Sequence, residues 1–204
     1  MAEEIKIAAA PKLLKLDLAC GQTLKEGFEG VDRWAPDAQH KVDLWKFPYP
    51  WADSSVDEIF CSHFIEHIPD RPVELKDIRD PNDQVAVDLF LDQDMLFAFF
   101  DECHRILKPG APMTVVCPNA RSNRGFQDPT HRRFIVAETF LYFAQEWRAI
   151  NKLDHYKARC DFSVNTVPVI PSELGLLHQE AQARRFNEGW NTILDWQCSL
   201  VAKK

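Results

Sequence analysis

Nowhere in the chain do two cysteines stand in a C-x-x-C pair. The six are scattered singly at Cys20, Cys61, Cys103, Cys117, Cys160 and Cys198. That spacing argues against zinc ribbons and redox dithiols, and no metal site is expected from the sequence. Cysteines set inside apolar runs read as small buried hydrophobes of a reducing compartment. No apolar run approaches the length of a membrane span, and residues 1–12 hold no apolar core suited to a signal peptide. A cytoplasmic protein without a membrane segment is the expectation. Also missing is a G-x-G-x-x-G turn opening a helix, which a nicotinamide-dependent dehydrogenase would carry. There is no internal repeat and no low-complexity tract. Basic residues are in deficit, 24 against 31 acidic ones for a net charge of −7. They gather only in short clusters, such as Arg132-Arg133 and Arg184-Arg185. An acidic surface is repelled by phosphate backbones, so nucleic acid is not favoured as a partner and a small-molecule acceptor is.

What is present is an ordinary globular composition, 46% hydrophobic and 27% charged over 204 residues. That is enough for one large domain. Residues 1–12 read as a flexible lead-in and 13–204 as a single domain. Strands are predicted at 13–19, 28–31, 41–44, 56–61, 113–117, 162–170 and 192–202, from short apolar or alternating runs bounded by turn residues. Helical structure is predicted at 63–68, 95–107, 138–150 and 173–186. The surest is 95–107, where Leu96, Phe99, Phe100, Cys103, Ile106 and Leu107 recur at helical spacing before Lys108-Pro109-Gly110. Residues 45–51 are loop, and 70–94 form an acidic, proline-containing insertion, part of it mobile. Strands alternating with helices predict an α/β sandwich with a mostly parallel sheet.

In such sheets ligands bind beyond the carboxyl ends of the strands. Gly21, Asp32, Asp43, Ser62-His63 and Asn119 each follow a predicted strand. If the strands run parallel, these positions meet on one sheet edge. The polar loop 119–133 is too long for a simple connector and belongs near the same edge.

The run Leu16-Asp17-Leu18-Ala19-Cys20-Gly21, then Gly30-Val31-Asp32, Val42-Asp43-Leu44 with Phe47-Pro48, Ser55 to Ile59 with Ser62-His63, and Phe100 to Gly110 resembles, in order, the motifs of class I S-adenosylmethionine-dependent methyltransferases, type 11 among them. The likeness runs from about Leu13 to Asn119. It departs in one place: Gln22 stands where a second motif glycine is common, and the link from Gly21 to Phe28 is too short for a full crossover helix. The resemblance implies a three-layer sandwich around a Rossmann-like, seven-strand-type sheet with an antiparallel last strand. It also implies S-adenosyl-L-methionine as cofactor, and methyl transfer as the activity.

On that resemblance, Asp32 is the acceptor for the ribose hydroxyls, since charge-assisted bonds to an ionised carboxylate are strong. Asp43 is either an acceptor for the adenine amine or a turn cap. Leu44 offers a backbone donor. Trp34 is either a flat wall for the base or a core residue. Asp17, costly in an apolar strand without partners, is expected to bind turn amides. Ala19, Cys20 and Gly21 bring backbone toward the methionine portion, with Gln22 or Lys25 as candidates for its carboxylate. Ser62 and His63 are expected near the sulfonium, His63 equally as a structural histidine, and Glu66 and His67 are read as structural. In the loop, His131 is the candidate base or acceptor ligand, because imidazole titrates near working pH, with Asp128 to orient it. Asn119, Arg121 and Arg132 are candidate acceptor contacts, the arginines equally plain surface residues.

Two competing readings remain open in the sequence. A nucleic-acid methyltransferase that modifies amino groups would carry an Asn/Asp-Pro-Pro-aromatic segment after the fourth strand, where this chain has Ser62-His63-Phe64-Ile65. A catalytically inactive protein of the same fold would act through a protein partner or as a homodimer, with 70–94 as its docking surface.

Overall fold

The computed structural model describes residues 12–70 and 94–204. The lead-in, apart from Lys12, and nearly all of the acidic insertion lie outside them. Among the described residues one sheet has six strands in the order β2-β1-β3-β4-β6-β5. β1 (Lys15–Leu18), β2 (Glu29–Val31), β3 (Glu58–Ser62) and β4 (Pro112–Pro118) are mutually parallel. β5 (Phe162–Val169) and β6 (Asp195–Ala202) complete it. β6 pairs antiparallel with both β4 and β5, so it alone runs against the rest. This is the mostly parallel sheet with a reversed last strand that the sequence predicts.

The predicted strand at 41–44 does not form. The chain touches β2 through a single bridge, Val31 to His40, and then turns away. Asp43 folds its carboxylate back onto the Trp45 N–H at 3.2 Å and onto Arg33 at 2.9 Å, local bonds that compete with a ladder. Pro48 and Pro50 follow at once.

Register explains which face of the sheet is core. Leu18, Val31, Cys61, Val115 and Cys198 share one row, and all five are fully buried. On the opposite row Phe60, Thr114 and Ser199 are only half-buried. The core face is covered by α1 (Met95–Ile106), whose N-terminus is capped by Asp94 accepting from the Leu96 N–H at 2.8 Å. Phe99, Phe100, Cys103 and Ile106 on α1 are fully buried. Phe100 stacks on Phe143 at 3.7 Å between ring centroids, tying α1 to the 3-10 segment Ala137–Phe143. The remaining helices are short: α2 (Asn123–Phe126), α3 (Gln145–Ile150), α4 (Ser172–Gly175) and α5 (Gln179–Glu188).

Arg105 fixes the loop before β3. Its guanidinium bonds both oxygens of Glu102, the carbonyls of Tyr49 and Trp51, and Asp53. Glu102 in turn accepts the Tyr49 N–H at 2.5 Å. This clamp sets the path of residues 43–53 beside the strand ends.

Candidate functional site

β1 ends in two residues with left-handed backbone, Ala19 at φ 56° and Gly21 at φ 55°. Alanine is uncommon there, and such strain gathers at functional turns. The turn is held to β2 by the Ala19 N–H on Val31 O at 2.7 Å and by the Gly21 N–H on Asp32 Oδ2 at 3.1 Å. Asp32 Oδ1 takes the N–H groups of Trp34 at 2.6 Å and Ala35 at 2.8 Å. Partial burial works against the charged form of Asp32. The three backbone donors and the Lys41 charge outweigh it and hold this carboxyl below the usual carboxylate range.

Three cavities open at these strand ends. The first, about 190 Å³, is lined by Ala19, Asp32, Trp34, Asp43, Leu44 and Phe64 among others. Trp34 is 79% exposed, which makes it a wall of this cavity and rules out the core reading. Leu44 is buried.

The second cavity, about 370 Å³, shares Ala19 with the first and runs past Asp17, Cys20, Lys25, Phe60 and Ser62. Asp17 is 2% exposed and accepts the Lys25 N–H at 2.8 Å, the turn-amide bond that a buried carboxylate in this strand needs. Burial raises its carboxyl above the ordinary range, against the pull of that N–H and of the Lys25 charge. The Lys25 ammonium lies 4.3 Å from the Phe60 ring centroid, at the mouth of the turn. Gln22 is exposed on the same loop.

The third cavity, about 340 Å³, begins just beyond Ser62 and is lined by His63, Glu66, His67, Arg124, Gln127, Asp128 and His131 among others. His63 stands at the end of β3 with left-handed backbone, φ 53°. Its Nδ1 is 3.4 Å from Glu66 Oε1, and contact with that carboxylate raises the imidazole above its ordinary value despite partial burial. His131 is anchored through Nδ1 on Gly125 O at 2.9 Å, and its Nε2 faces Glu66 Oε1 at 4.0 Å. Loop 127–133 is pinned here because the N–H groups of Arg132 and Arg133 both donate to Glu66 O, at 2.7 and 2.9 Å.

No protein-family model matches the chain, and no curated protein matches it. Solved structures do. A SAM-dependent methyltransferase from Archaeoglobus fulgidus superposes with a TM-score of 0.57 at 18% identity, over 93% of this chain and 86% of the other. A chain of a Haloferax volcanii complex that contains the Trm112 methyltransferase activator superposes with a TM-score of 0.50 at 15% identity, over 98% of this chain and 86% of the other. The fold is that of the class I SAM-dependent methyltransferases.

Within this methyltransferase fold most of the expected residues converge. Asp17, Ala19, Cys20, Gly21, Asp32, Trp34, Asp43, Leu44, Ser62 and His63 all lie along the two adjoining cavities, in their walls or in the turn between them, or at the rim of the third. Four loop residues depart from expectation. The Asp128 carboxylate takes the N–H and hydroxyl of Thr130, both at 2.7 Å, and so reaches His67 through Thr130 instead of orienting His131. Asn119 is 4% exposed, with its amide spent on Ile193 O at 3.0 Å and on Trp196 Nε1 at 3.1 Å. Arg121 caps the end of α5 through Phe186, Asn187 and Gly189 carbonyls. Arg132 is exposed and lines none of the three cavities. Sequence reasoning gave no role to Arg124 or Gln127, which line the third cavity, and set Glu66 and His67 aside as structural. The pattern His63-x-x-Glu66-His67, read together with His131, is the signal that could have found the last two.

Proposed function

We propose that the chain transfers a methyl group from S-adenosylmethionine to a small or medium-sized acceptor. The observation that carries this reading is the ionised Asp32 held against a left-handed Ala19–Gly21 turn where two cavities join. When bound, the cofactor supplies an electrophilic methyl on a sulfonium. The protein's task is then alignment and exclusion of water.

A carboxylate offers about four lone-pair sites. Three of those on Asp32 are taken by backbone N–H groups. One remains on Oδ2, enough for one ribose hydroxyl in good alignment, fewer than the two expected from sequence. Trp34 gives the adenine a flat exposed wall. Asp43, engaged by Arg33 and by the Trp45 N–H, shapes that loop and retains acceptor capacity toward the cavity. Lys25 is the cation within reach of a methionine carboxylate in the second cavity. His131 faces the acceptor cavity. Its Nδ1 donates to a backbone carbonyl, so its Nε2 carries the lone pair that could bind or deprotonate an acceptor.

Calorimetry with S-adenosylmethionine and S-adenosylhomocysteine on wild type and Asp32→Asn tests this. Loss of a hydrogen bond to a charged group costs about 1.5–3 kcal/mol. The variant should therefore bind both nucleosides roughly ten- to a hundredfold more weakly. Equal affinity of the two proteins would remove Asp32 from the site, and no binding to wild type would remove the cofactor.

A further inference from the structure

We propose that Glu66, His67 and His131 form a binding site for one divalent transition-metal ion of the zinc class. Each offers a ligating atom, and the three atoms lie within 4.8 Å of one another, close enough for one ion to draw together. Glu66 is 1% exposed and lines the third cavity. Among the described residues neither oxygen of its carboxylate has a hydrogen-bond partner. A buried carboxylate that accepts no hydrogen bond is costly, and a bound cation offsets that cost; without one, its charge partner is the His63 imidazole. His63 Nδ1 approaches one oxygen at 3.4 Å but without hydrogen-bond alignment.

The surroundings of both histidines fix the tautomer, and with it the ring nitrogen left free to take an ion. His131 Nδ1 has only Gly125 O to meet, at 2.9 Å, so it carries the proton and Nε2 the lone pair. The Thr130 hydroxyl donates to Asp128 Oδ1 at 2.7 Å and is left to accept from His67 Nδ1 at 3.0 Å. That again frees Nε2. These protons are assigned from the hydrogen-bond partners. The chains His131–carbonyl and His67–Thr130–Asp128 are the outer supports that metal-bound imidazoles characteristically have.

Two imidazoles and one carboxylate suit Zn²⁺ or a similar borderline ion better than Mg²⁺ or Ca²⁺, which demand mostly oxygen ligands. Three protein ligands leave a coordination position open toward the cavity, the pattern of a reactive and not a purely structural site. The inference stands whether or not the chain transfers methyl groups. Where both hold, His131 Nε2 is a ligand, and the ion takes its place facing the acceptor.

The test uses the full chain, stripped with a chelator and titrated with Zn²⁺, Co²⁺ and Mg²⁺ without any nucleoside. One Zn²⁺ per chain is expected, with a raised melting temperature and no response to Mg²⁺. The Co²⁺ form should show visible bands of a nitrogen–oxygen site and no thiolate charge-transfer band. Thr130→Val keeps all three ligands and should weaken Zn²⁺ about tenfold or more. Glu66→Gln and His131→Gln should abolish stoichiometric binding. Thiolate bands, or equal binding by wild type and all three variants, would assign the ion to cysteines or the surface and overturn the proposal. So would the absence of binding to wild type, which is decisive even if a variant fails to fold. Failed S-adenosylmethionine binding alongside intact Zn²⁺ binding would reject the methyl-transfer reading alone.

Discussion

Asp32 accepts N–H groups from Gly21, Trp34 and Ala35, and so joins the end of β2 to the turn after β1. Its carboxyl titrates below the usual range in the folded protein. The unfolded value lies near 3.9, so folding is stabilised by the ionised form. That contribution is complete above the unfolded value and is lost as pH falls through the lowered folded one. Asp32→Asn should cost about 1–2 kcal/mol at neutral pH. The gap between the two proteins, followed by urea unfolding, should close below about pH 4; a gap that persists in acid would mean the charge is not what matters. A neighbouring position tests the same junction sterically. A Cβ on Gly30 would stand 2.8 Å from Cys20 Sγ and 3.1 Å from Leu24 Cδ1. At this scale Asp32 was legible, because a strand-ending Gly-Val-Asp is local. That three of its four acceptor sites are already occupied was not legible, since two of its donors lie in a turn it creates and the third eleven residues away.

α1 was legible to within one residue, since its apolar spacing and the Lys-Pro-Gly stop are written within the sixteen residues 95–110. Its partner was not. Phe100→Ala removes a ring stacked on Phe143 in a fully buried cluster and should cost about 3–5 kcal/mol in urea unfolding. The loop 43–53, expected to begin as a strand, is shaped by the Arg105 clamp instead. Glu102 and Asp53 raise the Arg105 pKa far above its ordinary value, Glu102 contributing most, so the guanidinium stays charged at any working pH. Arg105→Gln should cost about 2–3 kcal/mol, between an exposed and a buried ion pair. It should also speed hydrogen exchange at the Tyr49 amide. Unchanged exchange there would show that the loop holds its path without the clamp.

Across the molecule, five cysteines are fully buried and only Cys20 is half-exposed, on the turn between the first two cavities. Burial raises the thiol pKa at Cys61, Cys103, Cys117, Cys160 and Cys198, and burial with the charges of Asp17 and Asp32 raises it at Cys20 as well, so access to reagent is what sets Cys20 apart. A thiol reagent should label one cysteine per native chain, Cys20, and the other five only on unfolding. S-adenosylmethionine should slow the labelling of Cys20. Rapid labelling of more than one site would contradict the packing of the sheet's core face.

The order of strands and helices, the acidic end of β2 and the shortened first turn follow from the sequence alone, because periodicity, turn chemistry and strand-end residues act over a few positions. The missing strand at 41–44, the diversion of Asn119 and Arg121 to scaffolding, and the meeting of Glu66 and His67 with His131 were decided only in three dimensions. Thr130 reaches His67 across 63 residues of chain, and the Glu66 carbonyl draws that loop in. Hydrogen-bonding capacity is finite, and which distant group claims each donor and acceptor is settled by packing.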